Sequence, residues 1–277
     1  MKNLLIPVDF SDAARNAFHY AMAMAQQAGF EKATLAHVFL PESAGEADYI
    51  PPVHAIMQSR RELLNNFFNE LKKAFDGEFP VPVEPELLVG FPADEIAKQS
   101  ELYDMIVMGT TGESGLLERV FGSVSSSVSQ RAYCPVLLVP ETVTYQPLKN
   151  LVYASHYDTQ GEAVISRLMD FNRLFNAHLH FVHVKREKDA PLEVEHRELF
   201  DKLFQKGAPP FSFDIAEVAG DSVPEGLNQY AKANNAQLIV MATRHRSFWD
   251  NILHRSQTKR MALSTAFPLM VLHLDVE

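Results

Sequence analysis

Short apolar runs alternate with longer amphipathic segments along the first half of the chain. The apolar runs predict strands at Leu4–Val8, Thr34–Phe39, Val81–Val89, Met105–Met108 and Val136–Val139. The intervening segments predict helices at Ala13–Gly29, Ala55–Phe75, Pro92–Ser100 and Ser125–Arg131. Pro82 and Pro85 interrupt the third strand, which places it at a sheet edge. Strands separated by helices predict a parallel sheet that is covered on both faces.

The second half of the chain repeats the first. Apolar runs at Asn150–Tyr153, Phe181–Val184 and Leu238–Met241 are the counterparts of Asn3–Ile6, Leu35–Val38 and Met105–Met108. Met241 and Phe267 follow Met108 and Cys134 at the same offset. Because such self-similarity marks a repeated structural unit, we predict two copies of one fold, residues 1–145 and 146–277, with a boundary near Pro147.

Glycines cluster between the last two strands of the first copy. Gly109, Gly112 and the pair Gly122-Ser123 follow the spacing G-x2-G-x9-G-S, from the end of one strand to the start of the serine-rich helix. Glycine lets backbone N–H groups approach a ligand closely, and a helix start favours anions. The pattern indicates a phosphate site, although loop glycines needed only for turns would give the same spacing. A P-loop lysine and a G-x-G-x-x-G motif are both absent.

This glycine pattern resembles that of the universal stress protein family. The opening NLLIPVDFS of residues 3–11, the LAHV of residues 35–38 and the CPVLLV of residues 134–139 resemble other segments of the family, in the same order. The resemblance covers nearly the whole chain, because the unit occurs twice. It implies an α/β fold with two tandem open parallel five-stranded sheets, helices on both faces and the strand order 3-2-1-4-5.

The resemblance also implies a set of ligand contacts in the first copy. Asp9 and Val38 would hold the adenine and ribose end of ATP, and Met108 and Gly109 would line the floor of the cleft. The phosphates would contact the remaining set, which is Gly112, Gly122, Ser123 and Val124. We expect ATP, with Mg²⁺, as the cofactor. The residues alone do not indicate which base is bound. They leave open that Asp9 caps the next helix and that Val38 is only a core residue.

The second copy departs from this pattern at its polar positions. Ala242, His245 and Arg255 stand where the first copy has Gly109, Gly112 and Gly122, and His156 stands where it has Asp9. We therefore expect no nucleotide there, because side chains would fill the space that backbone and phosphate share. The basic loop of residues 243–260 is interpreted as solvated or domain-facing, or as a site for another anion. Its histidines, with His156, leave a metal site conceivable, but we predict none.

Composition narrows the class of function. The 277 residues carry a formal charge of −10, which argues against nucleic-acid and membrane-surface partners. No targeting segment or membrane span is visible, so we expect a soluble, cytoplasmic protein. The single cysteine, Cys134, is expected to be a small buried hydrophobe. His37 and His183 occupy matching strand positions, which favours a shared structural hydrogen bond.

Three classes of function follow. The leading one is an ATP-binding regulatory stress-response protein whose nucleotide alters contacts with an unknown protein partner. The alternatives are a nucleotide-free scaffold and a slow ATP hydrolase. No Ser, His and Asp trio presents itself, and we predict no catalytic residue. We also expect the apolar strands Val136–Val139 and Leu269–Leu272 to cover each other as an intrachain pseudo-dimer, which leaves a homodimer open.

Overall fold

The chain forms two compact units. The computed structural model describes residues 2–41, 53–110, 123–155, 162–185, 211–243 and 266–273. Described residues up to Tyr145 belong to the first unit, and those from Gln146 onward belong to the second. The predicted residues Gly112, Gly122 and His156, and the basic loop from residue 244 to 260, lie outside the described residues.

The first unit is a parallel sheet with helices between its strands. Its strands are β1 (Asn3–Pro7), β2 (Lys32–Phe39), β3 (Val83–Val89), β4 (Met105–Thr110) and β5 (Val136–Pro140). Its helices are α1 (Asp12–Ala28), α2 (Val53–Ala74), α3 (Pro92–Gln99) and α4 (Ser123–Arg131), with a 3-10 turn at Ser100–Leu102. The strand order is β3-β2-β1-β4-β5, and every neighbouring pair is parallel. The strand β3 therefore lies at an edge, as its prolines predict.

Both faces of this sheet are covered. Leu4, Leu5 and Ile6 are consecutive residues of β1, and each has a relative exposure of 0%. Because successive side chains of a strand point to opposite faces, both faces of β1 are shielded from solvent, as in doubly covered parallel sheets. The helix α1 begins at an N-cap, Ser11, and ends at Gly29, which has a φ of 66° and so takes the left-handed conformation that glycine tolerates.

The second unit has the same order of strands. Its strands are β6 (Asn150–Ala154), β7 (His178–Lys185), β8 (Phe213–Ala219), β9 (Leu238–Thr243) and β10 (Leu269–His273). Its described helices are α5 (Glu162–Asn172) and α6 (Val223–Ala233). The order is β8-β7-β6-β9-β10, again parallel throughout.

The repeat extends to individual backbone hydrogen bonds. The Val8 amide donates to the Ala36 carbonyl at 2.8 Å, and the Ser155 amide donates to the Val182 carbonyl at the same distance. His37 Nδ1 lies 2.9 Å from the Val8 carbonyl oxygen, and His183 Nδ1 lies 3.1 Å from the Ser155 oxygen. The shared structural hydrogen bond predicted for the two histidines is confirmed.

The predicted fold is confirmed, with differences of one to three residues at most element ends. The strand β4 continues past Met108, because Gly109 and Thr110 pair in register with Val139 and Pro140 of β5. The helix α4 starts two residues earlier than predicted. Cys134 is buried, as expected, and burial raises the pKa of its thiol to about 12. The mutual cover of the two terminal strands stays a prediction.

Candidate functional site

The first unit contains a cavity of about 320 Å³ at the carboxyl ends of three strands. Its walls come from the ends of β1, β2 and β4 and from the starts of α1, α3 and α4. The strands β1 and β4 lie side by side at the point where the strand order reverses, which is where open parallel sheets bind ligands. A volume of this size is at the lower end of the range for small-molecule sites.

Asp9 lies at the end of β1 and supports the start of α1. Its Oδ1 accepts hydrogen bonds from the Ser11 amide at 3.1 Å and the Ser11 hydroxyl at 2.5 Å. The Ser11 hydroxyl oxygen accepts from the Ala14 amide at 3.2 Å. The helix cap is thus Ser11, and Asp9 orients the cap. Within the described part of the chain, Asp9 Oδ2 accepts no hydrogen bond and the residue is exposed at the cavity.

His37 lines the same cavity, and one of its ring nitrogens is buried without a hydrogen-bond partner among the described residues. Its side chain is 8% exposed, and its Nδ1 donates to the Val8 carbonyl. Burial lowers the pKa of His37 below its ordinary value of 6.5, and the Arg60 charge acts in the same direction. The ring is therefore neutral near pH 7, with a hydrogen on Nδ1 and a lone pair on Nε2. Among the described residues, Nε2 has no hydrogen-bond partner, and the atom is buried, so a ligand would reach it only after the surrounding side chains move.

Phe10 shields one side of this histidine. Its ring centroid lies 4.3 Å from that of His37 and 5.3 Å from that of Phe67. Phe10 has a φ of 69°, a conformation that bulky residues adopt only where their surroundings require it. The turn after β1 thus turns Phe10 onto His37 and leaves Asp9 at the cavity.

Gly109 makes room for the backbone of α1. A Cβ atom at this position would lie 2.5 Å from the Ala13 carbonyl oxygen and 2.6 Å from the Ala13 carbonyl carbon. These distances are too short for any side chain, and the obstacle is backbone that cannot rotate away. Gly109 therefore lets the start of α1 approach β4, which closes one wall of the cavity.

Three helix starts meet at the cavity, and only α4 has a first turn suited to an anion. In α1 the Ala14 amide is already bonded to Ser11. In α3 the amides of Asp94 and Glu95 both donate to the Phe91 carbonyl, and their carboxylates lie in the first turn. The first turn of α4 carries no acidic residue. Its leading N–H groups have no partner within the helix and attract negative charge.

The structure brings together five of the eight residues implied by the resemblance. The cavity-lining members of that set are Asp9, Val38, Met108, Gly109 and Val124. Ser123 is the first residue of α4, while Gly112 and Gly122 lie outside the described residues. The sequence reasoning missed the buried Nε2 of His37, which has no hydrogen-bond partner among the described residues, because the strand position alone indicated only the structural bond of Nδ1. Three further lining residues that it did not single out are Ser11, Ser125 and Ile96.

Comparison with known proteins decides the family. The profile described as "Universal stress protein family" matches residues 1–140 and residues 148–273. This chain belongs to the universal stress protein family. The two matched segments make it a tandem member with two copies of the family unit. The resemblance in the sequence is confirmed.

Individual relatives of this universal stress protein match one copy at a time. Universal stress protein MJ0531 of Methanocaldococcus jannaschii is 34% identical over 147 residues, which are 50% of this chain and 81% of that protein. Universal stress protein YxiE of Bacillus subtilis is 33% identical over 145 residues, which are 49% of this chain and 97% of that protein.

Solved structures match both copies in one case and a single copy in another. A universal stress protein from Archaeoglobus fulgidus covers 98% of this chain, and 98% of its own chain is covered, at 19% identity and a TM-score of 0.74. At this identity the likeness shows the fold alone. A universal stress protein solved in complex with cAMP covers 50% of this chain and 96% of its own, at 24% identity and a TM-score of 0.35. Across the described residues, no helix of this chain combines the length and apolarity of a membrane span.

Proposed function

We propose that the first unit binds ATP in the cavity at the ends of β1, β2 and β4, and that the chain is a regulatory nucleotide-binding protein of the stress response. The observation that carries this proposal is the pairing of two unlike ends in one cavity. One end offers the exposed acceptor Asp9 beside the apolar side chains of Val38 and Met108. The other offers the start of α4, which favours phosphate.

The charges fix the orientation of the proposed ligand. The Asp9 carboxylate repels phosphate and accepts hydrogen bonds from the hydroxyl groups of a ribose. Val38 and Met108 are buried apolar residues at the same cavity, and they suit the faces of a base. Phosphates are then directed to α4.

Magnesium is usually held by one or two carboxylates, the phosphates of the nucleotide and water. Asp9, the only carboxylate among the described residues that line the cavity, is assigned to the ribose end of the ligand and not to its phosphates. We therefore propose that Mg²⁺ enters with ATP and is held by the phosphates and water. We propose retention of ATP with slow or no hydrolysis.

The test fills the cavity with a large side chain. Val124 is half-buried in the first turn of α4 and lines the cavity, so Val124→Trp should abolish binding of ATP in titration calorimetry. The matched control is Val53→Trp on α2, because Val53 is 58% exposed and remote from the cavity lining. The control should bind ATP as the unmodified chain does.

A second variant protects the test against misfolding. Asp9→Asn keeps an oxygen for Ser11 and removes the charge, so it should fold and bind ATP roughly ten-fold or more weakly, as expected for loss of a charge-assisted hydrogen bond. Full ATP affinity in both Val124→Trp and Asp9→Asn would refute binding in this cavity. No ATP binding by the unmodified chain, and no adenine nucleotide released by acid from the purified protein, would favour the nucleotide-free scaffold.

A further inference from the structure

Two histidines and an aspartate converge at the start of two strands in the second unit. His178 and His180 are two residues apart on β7, so their side chains lie on the same face of the sheet. Asp214 on β8 pairs directly with His180 across the strands. Cross-strand neighbours on one face have their Cβ atoms about 5 Å apart, which brings all three side chains to one place.

Distances between the polar atoms are short. His178 Nε2 lies 2.9 Å from Asp214 Oδ2, and His180 Nδ1 lies 3.8 Å from the same oxygen. One ring nitrogen of each histidine and one carboxylate oxygen lie within 4.8 Å of one another. Zinc bonds to nitrogen and oxygen are about 2 Å long, so small side-chain rotations bring the three atoms around one ion.

The surrounding groups orient the histidines for this role. His178 Nδ1 lies 2.8 Å from the Ser212 hydroxyl, and a hydrogen on Nε2 accounts for the 2.9 Å contact with Asp214. A bound ion would replace that hydrogen, and Nδ1 would then donate to the Ser212 hydroxyl. Metal-bound histidines commonly donate their other N–H to such a partner. His180 is 6% exposed, and its Nδ1, the ring nitrogen 3.8 Å from Asp214 Oδ2, also lies 3.2 Å from the Tyr230 hydroxyl. Nδ1 can therefore ligate an ion once that hydroxyl turns away from it. The Nε2 of the same ring is buried without a hydrogen-bond partner among the described residues, and it would carry the hydrogen when Nδ1 binds an ion.

The first unit supplies a natural contrast at the equivalent positions. Its register pairs Asn3 with Lys32 and Thr34 with Glu84, as the second unit pairs Asn150 with His178 and His180 with Asp214. There, Lys32 Nζ and Glu84 Oε2 form an exposed ion pair at 2.6 Å. The repeat thus tolerates a simple ion pair at this place, and only the second copy combines two imidazoles with a carboxylate.

We propose that His178, His180 and Asp214 bind a divalent transition-metal ion of the zinc class. Two imidazole nitrogens and one carboxylate oxygen suit zinc and cobalt, whereas calcium and magnesium prefer oxygen ligands alone. The Asp214 side chain is 64% exposed, so the fourth position of a tetrahedral ion is open to water. The site is separate from the cavity of the first unit.

Cobalt titration of the full, untagged chain tests this site. After removal of metals with a chelator, the chain should bind one equivalent of Co²⁺ with the visible absorption of tetrahedral cobalt, and Zn²⁺ should displace it. The double variant His178→Lys/His180→Thr introduces the residues of the first unit and should abolish this spectrum. Ser212→Ala, which removes the partner of His178, should weaken binding by roughly ten- to a hundred-fold.

The controls separate this site from other histidines and from misfolding. His54→Gln alters an exposed histidine of α2 and should bind Co²⁺ as the unmodified chain does. If His178→Lys/His180→Thr fails to fold, as judged by circular dichroism, Asp214→Asn takes its place and should weaken binding at least ten-fold. Absence of tetrahedral Co²⁺ in the unmodified chain, or an unchanged spectrum in the folded variants, would overturn the proposal.

Discussion

The two copies have the same backbone fold and differ in a residue near the end of the fourth strand. Their strand orders are the same, and so are the bonds from Val8 to Ala36 and from Ser155 to Val182. At the end of the fourth strand, however, the first copy has Gly109 and the second has Ala242. In the first copy, a Cβ atom at Gly109 would overlap the backbone of α1.

This difference separates the requirements of the fold from those of the site. Backbone hydrogen bonds and side chains buried on both faces build the sheet in both copies, and neither depends on glycine at this place. The close approach of α1 to β4 does depend on glycine, and it shapes one wall of the cavity. A copy can therefore keep the fold and lose the conditions for a nucleotide site.

The largest effect is expected from exchanging the residues at this position. Gly109→Ala forces α1 away from β4 and should destabilise the first unit by about 1–3 kcal/mol, the usual cost of overpacking, while weakening ATP binding. Ala242→Gly should cost the second unit only about 0.5–1 kcal/mol, the usual cost of glycine in a strand. Hydrogen exchange in peptides from β4 and β9 measures the two units separately. Equal losses of stability in Gly109→Ala and Ala242→Gly would contradict the proposed difference between the two copies.

Helix caps provide a smaller contrast. Ser11 caps α1, and Ser222 caps α6 by accepting from the Glu225 amide at 3.3 Å. Replacing either serine with alanine should cost about 1 kcal/mol of stability in its own unit. Only Ser11→Ala should also weaken ATP binding, because Ser11 lines the cavity and holds Asp9. Calorimetry with ATP distinguishes the two variants, and equal affinities would remove Ser11 from the site.

The smallest expected effect is a change in the pH dependence of stability. Burial lowers the pKa of His37 in the folded chain, so the unfolded chain binds more protons just below pH 6.5. The free energy of unfolding should therefore fall as the pH drops through 6.5 and should level off once the pH is below the folded pKa. In His37→Gln this fall should be shallower, while above pH 7.5 the difference between the two proteins should be constant. Urea unfolding at several pH values measures both slopes, and parallel slopes throughout would refute the assignment.

Periodicity predicted most of the fold, because strands buried on both faces read as short apolar runs. The edge position of β3 followed from Pro85, and the tandem repeat followed from matching runs such as Met105–Met108 and Leu238–Met241. Element ends were less predictable. Pairing in register with β5 extends β4 through Gly109 and Thr110, and this pairing is a tertiary feature that no local pattern carries.

The candidate site was predictable only in part. The sequence placed Asp9 and Gly109 at neighbouring strand ends, since family resemblance and the strand order both indicate it. It did not show that Gly109 accommodates the Ala13 backbone, because this contact joins distant segments. Nor did it show that His37 Nε2 is buried without a partner among the described residues, since burial and hydrogen bonds decide the tautomer. His178 and His180 are visible as an alternating pair, but Asp214 joins them only through the register of β7 and β8.

The most direct test of the central contrast is a count of nucleotides on the intact chain. Native mass spectrometry with excess ATP and Mg²⁺ should show a single bound ATP per chain, and Val124→Trp should remove it while Val53→Trp keeps it. The result follows because the site depends on the cavity of the first unit. Two ATP molecules per chain, or one that persists in Val124→Trp, would contradict the assignment of the nucleotide to the first copy alone.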